Sequence, residues 1–346
     1  MSNLQIGLAI AGGLVLAAVV AHGAWTSRRS VPRQALPEAA ATDSNAQGVE
    51  PILTDAPLDA SPLPTAHLPR KPAMDSLIDV IATIALDAVH PSIGGDVALA
   101  AMPSTRRAGS KPFAIEGYNL MTQVWEMPVA GQRYGGFQAG VQLANRSGAL
   151  NEIEYSDFVV KTQAFADAIA ATPEFPDMLE EVARARELDH FASAHDAQLG
   201  FMVRAKNASW SPGFVHQCAS RQGFVAGALP GRMVMPASTE GMPPLVVLSF
   251  DAQAALADDP AQTAIREISL QLDVAQVARE EAPFDRMREV AQALAQTMEG
   301  VITDDDGQPL AAQTMDTIGA ELQTLYNTLE GRDLAAGSPL ARRLFS

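Results

Sequence analysis

The residue types able to do chemistry are few and poorly placed for it. The chain has six histidines, at positions 22, 67, 90, 190, 195 and 216, and one cysteine, Cys218. Asp189-His190 and His195-Asp196 could be drawn as a metal cluster. A five-residue spacing, however, turns two helical side chains about 140° apart, which suits a solvated helix end better. Cys218 follows His216 by two residues, on opposite faces of a helix, and reads as a buried packing residue. A single cysteine excludes an internal disulfide and a multi-cysteine metal site, and fits a reducing compartment. Asp304-Asp305-Asp306-Gly307 lacks the alternating ligands and closing Glu of a calcium loop, so it reads as a turn. Asn145-Arg146-Ser147 fits a glycosylation triplet, without consequence in a cytoplasmic domain. GxGxxG, GxxxxGKS/T, GxSxG and HExxH are absent. No catalytic residue, cofactor, metal site or small-molecule substrate is therefore expected, and the chain reads as a binding protein and not an enzyme.

The elements that carry these residues are unevenly distributed. The 346 residues suffice for one large or two modest domains with a real core. The formal charge of −16 argues against nucleic acid, which needs clustered Lys and Arg, and 5% aromatics offer no base-stacking platform. Residues 1–74 carry five basic and five acidic groups, so the whole −16 falls on residues 75–346.

Residues 1–27 contain no charged side chain. The apolar run from Ile6 to Trp25 matches a bilayer core as a helix, and Trp25 sits where an interfacial aromatic would. Positive charge (Arg28, Arg29, Arg33) follows the run instead of preceding it, which favours an anchor over a cleaved signal peptide. The positive-inside rule then keeps everything downstream in the cytoplasm, as a single-pass inner-membrane protein contacting lipid through residues 6–25. Residues 28–74 are rich in Pro, Ala, Thr and Ser without apolar periodicity, and read as a disordered tether.

The remainder reads as α+β, a mostly antiparallel sheet covered by helices on one face. Strands are expected near 199–206, 245–250 and 268–274, and helices over 212–222, from Pro283, and along Met315, Ile318, Leu322, Leu325 and Leu329. Gly300 is expected to end the Pro283 helix. Residues 76–197 echo this order, with strands near 77–86, 111–117 and 137–143 and helices near 155–171 and 175–194. They are either a diverged first copy or an unrelated extension. The expected divisions are 1–27 anchor, 28–74 linker, 75–197 first α+β region, 198–332 second domain and 333–346 tail.

Several segments resemble the ZipA family of bacterial cell-division proteins. They are His22-Gly23-Ala24-Trp25-Thr26-Ser27-Arg28 at the end of the anchor, Arg221-Gln222-Gly223-Phe224 closing a helix, the strand from Ile268, the helix Phe284–Glu299, and Gly300-Val301-Ile302-Thr303-Asp304-Asp305, which is similar to a GGxxLDD hairpin. The resemblance covers about half of the chain. It implies a split β-α-β domain whose open sheet face binds the carboxy-terminal tail of the tubulin-like GTPase FtsZ, tethering the division ring to the membrane. A scaffold of the same fold with a different peptide partner is the alternative.

The resemblance also suggests the groove. On strand 268–274 the apolar residues must point to the helices, leaving Ser269, Gln271 and Asp273 outward, with Gln271 near a family aromatic. The same alignment places Val246, Leu248 and Phe250 outward, unless that strand is buried on both faces. Leu229 matches a family methionine, Met202 and Met233 lie nearby, and Arg204 and Lys206 would supply charge. The expected partner-binding set is Met202, Arg204, Leu229, Met233, Val246, Leu248, Phe250 and Gln271.

Overall fold

The computed structural model describes residues 33–34, 74–257, 259 and 263–346. The expected anchor and most of the linker lie outside these residues. Among the described residues no helix is long and apolar enough to cross a membrane. The described chain forms two compact units, one of residues 74–196 with 342–346, the other of residues 197–341 with 33–34. Both are α+β with antiparallel sheets.

The first unit runs β1 (Asp79–Leu86), α1 (Gly95–Ala101), β2 (Lys111–Asn119), β3 (Arg133–Gln142), α2 (Glu152–Ala168), β4 (Ala171–Glu174) and α3 (Met178–His195). Its sheet is ordered Arg107–Ala108, β2, β3, β1, β4, with Ile93–Gly94 on β3 and Trp125–Glu126 on β2. Helix α2 begins three residues earlier than periodicity suggests because Asn151 and Glu154 form a reciprocal capping box. Its buried face meets the sheet through aromatic pairs, Phe113–Phe158 at 6.0 Å and Phe137–Phe165 at 5.3 Å between ring centres.

Two polar devices lie inside this unit. Lys111 is 1% exposed. It donates to Ser110 Oγ (2.8 Å) and Asn145 Oδ1 (3.2 Å), and sits 3.8 Å from Glu154. Burial pushes the Lys111 ammonium below its usual range. Burial alone would raise Glu154, but hydrogen bonds from the Ser110 hydroxyl and amide and the Asn151 amide, with the Lys111 charge, hold it below the usual carboxylate range. The other device is Asp79, gripped by both terminal nitrogens of Arg343 (2.9 and 2.5 Å).

Residues 333–346 are therefore not a tail. Leu334, Ala341, Leu344 and Phe345 are all buried, because their apolar side chains and the Arg343 clamp have partners that sequence spacing does not reveal.

The second unit runs β5 (Gln198–Ala205), α4 (Pro212–Arg221), β6 (Arg232–Met235), β7 (Val246–Ser249), β8 (Glu267–Asp273), α5 (Pro283–Met298), β9 (Gly300–Thr303) and α6 (Ala312–Glu330). Its sheet is ordered Val225–Ala226, β6, β7, β8, β5, β9. Helix α5 buries Phe284, Met287, Val290, Ala291, Leu294 and Met298 at helical spacing, and Pro283 occupies its first turn. Its end departs from expectation. Glu299, not Gly300, takes the left-handed conformation (φ 52°). Gly300 is needed for another reason, since a Cβ there would lie 2.7 Å from Val203 and 3.1 Å from the Arg204 carbonyl. The close approach of β9 to β5 requires the glycine.

Arg33, assigned by sequence to the free linker, is also paired. It forms a parallel bridge with Trp210 in the second unit.

Candidate functional site

The register of the second sheet assigns every side chain to a face. Leu248 pairs with Leu270 and with Met233, and all three are buried beside Ile268 and Leu272. Residues opposite one another on antiparallel strands share a face, so this row faces the helices. The opposite face is the open one. Across it run Val225, Val234, Val247, Gln271 and Gly200, paired in that order. The next row is Arg232, Ser249, Ser269, Met202 and Thr303.

This overturns part of the expected groove. Val246 and Leu248 are completely buried and Met233 is 1% exposed, all on the helix side. Phe250 turns inward as well and meets the His216 ring of α4 edge-on at 5.7 Å. The parity of β7 is therefore opposite to the alignment, and the strand is not buried on both faces, because Val247 and Ser249 remain half-exposed. Met202, Leu229 and Gln271 do lie where a partner could reach them. Met202 is half-buried, Gln271 exposed, and Leu229, in the turn before β6, is 60% exposed.

Arg204 also belongs to the open face but is already engaged. Its Nε lies 3.3 Å from Glu267, and its Nη2 donates to the Asp305 carbonyl at 3.4 Å. The basic group exposed beside the apolar row is Arg232. The other border is acidic, because Asp305 lies over Gly200, where an added Cβ would be 3.4 Å from its carboxylate.

Sequence reasoning missed Val225, Val234, Val247 and Ser249. The available signal was the alternation Met233-Val234-Met235, whose flanking methionines must share one face and leave Val234 on the other. A cavity of about 440 Å³ opens at the end of this face, lined by Met202, Ser249, Phe250, Asp251, Ala264, Ile265, Arg266, Glu267 and Ser269. The surface is a shallow band of valine and methionine with a cation on one border and a carboxylate on the other. Such a band has the chemistry to hold an apolar segment of another chain. Among the described residues no His, Cys, Asp and Glu cluster could hold a metal ion.

Residues 247–321, from β7 into α6, match the family model of the ZipA C-terminal FtsZ-binding domain. Over this segment the second unit is similar to the ZipA family. No curated protein matches the chain. The ZipA match contains Val247, Ser249, Ser269 and Gln271 of the open face, whereas Met202 and Val234 come from strands outside it. The matched model describes a domain that binds another protein, FtsZ.

Proposed function

We propose that the chain is a bitopic inner-membrane adaptor of cell division, and that the open face of its second unit binds the carboxy-terminal tail of FtsZ. The observation that carries the reading is the row Val225, Val234, Val247 on the sheet face opposite the one the described helices cover, within and beside the ZipA-matching segment. Met202 and Leu229 extend the apolar contact, Gln271 and Ser269 offer hydrogen bonds, and Arg232 meets an acidic tail. Methionine and valine on a shallow face suit an amphipathic peptide whose specificity comes from a few seated side chains. The domain's net negative charge opposes long-range steering, so apolar contact supplies most of the affinity.

The membrane part of the proposal rests on sequence, namely the uncharged run of residues 6–25 followed by Arg28, Arg29 and Arg33. It implies no cofactor, no small-molecule substrate and no enzymatic step. We also read the first unit as a diverged copy of the second. Helices follow β1, β3 and β4 as they follow β5, β8 and β9, and the sheet order β2-β3-β1-β4 corresponds to β7-β8-β5-β9. Titration of the full chain in detergent micelles with the FtsZ tail peptide tests the binding reading. Saturable binding that perturbs the amides of Val234, Val247 and Gln271 is expected. Binding with no change on these strands would overturn the site.

A further inference from the structure

The sequence makes residues 28–74 a plain tether, yet Arg33 is held by the second unit at three points. Its amide donates to the Ser209 carbonyl at 2.8 Å, and its carbonyl accepts from the Ser211 amide at 2.9 Å. Its guanidinium lies 2.5 Å from the Glu299 carboxylate. The acceptor side is well built. Ser209, Trp210 and Ser211 are each at most 3% exposed. Trp210 is locked by two backbone hydrogen bonds to Ile265, both 2.8 Å, and its ring nitrogen donates to the Met298 carbonyl at 2.8 Å. Ser211 in turn caps α4 by accepting from the Phe214 amide. The outer edge of this short segment would present a carbonyl and an amide without a strand partner, and Arg33 supplies both.

The geometry points to a docking surface, formed by the 209–211 edge and Glu299, whose occupant is the chain's own segment at Arg33. The second unit is then fastened just after the apolar run and not only through the far end of the linker. Arg33 lies eight positions after Trp25, a reach of at most about 28 Å. A free linker would instead let the unit roam. That positional consequence rests on the anchor reading proposed above, whereas the docking itself does not. Arg33 holds the Glu299 carboxyl below the usual carboxylate range, consistent with a formed pair.

Amide hydrogen exchange on the full chain in micelles tests the docking. Glu299→Lys places a cation against Arg33 and should speed exchange of the Ser211 amide about fivefold, the scale of an exposed ion pair. Adding Arg33→Glu restores the pair with its charges exchanged and should return the rate towards that of the unaltered protein. Both variants keep the buried core, so melting temperatures should stay together. Unchanged exchange in Glu299→Lys would overturn the docking. So would acceleration that Arg33→Glu fails to rescue, since it would trace to the end of α5. The apolar row is untouched by either variant, so loss of the docking leaves FtsZ-tail binding to be judged separately.

Discussion

Replacing Val247 with aspartate, alongside Leu248 with alanine, separates the open face from the core at two adjacent residues. Val247 is half-buried between Val234 and Gln271, so a docked peptide removes only the remainder of its surface from water. Full burial of a valine contributes about 1.5–3 kcal/mol, so the part gained on binding is about 1 kcal/mol. Aspartate forfeits that and sets an ion against an apolar contact, for a total near 2–3 kcal/mol, or roughly 30- to 150-fold in Kd. Val247 is outside the buried row, so the cost to folding is smaller, about 1 kcal/mol from strand propensity. Leu248 is the converse. It is completely buried against Leu270 and Met233. Truncation to alanine should cost about 2–5 kcal/mol of stability and lower Tm by about 10 °C in a unit of this size. Calorimetric titration with the FtsZ tail and a melting curve give both numbers. If Val247→Asp binds normally, or if Leu248→Ala abolishes binding at an unchanged Tm, the face assignment is refuted.

Three further outcomes follow from the geometry. Leu229→Ser should weaken tail binding about fivefold without shifting Tm, because its side chain is exposed and contributes to an interface only when a partner covers it; equal affinity by fluorescence titration would remove Leu229 from the site. Arg343→Ala should leave the buried Asp79 carboxylate unpaired and cost about 3 kcal/mol in the first unit. Burial already raises Asp79 against the pull of Arg343, so the variant should lose further stability as pH rises through the raised folded value, an added slope that urea titrations at several pH values would detect. Glu154 behaves in the opposite sense. Its folded-state carboxyl lies below the usual range, so its contribution is present above the unfolded value and is lost as pH falls through the folded one. Glu154→Gln should flatten that acid limb of the stability profile, and an unchanged limb would assign acid sensitivity elsewhere.

The order of strands and helices was legible because its signals are local. The alternation Ile268, Leu270, Leu272 and the stripe Phe284, Met287, Val290, Leu294 each state a period and a face within one element. Pro283 marked a helix start. The buried network of Lys111, Asn145 and Glu154 was not legible, because its members are separated in the chain and no spacing rule joins them. The same holds for Asp79 and Arg343, whose pairing ties the end of the apparent tail, residues 342–346, into the first unit.

The strand at 246–249 marks the boundary between the two kinds of knowledge. Its sequence, Val246-Val247-Leu248-Ser249-Phe250, offers apolar residues at both parities, so period alone cannot choose the inward set. The sequence by itself determined that an apolar strand lies here and that the charge of −16 falls on the region containing it. Only the tertiary structure decided which face is free, through the pairing of Leu248 with Leu270 and Met233. It likewise decided where Arg33 goes. The reason is the same in both cases. Facing and docking depend on hydrogen-bonded partners distant in the chain, and a pattern within one segment carries no record of the segment beside it.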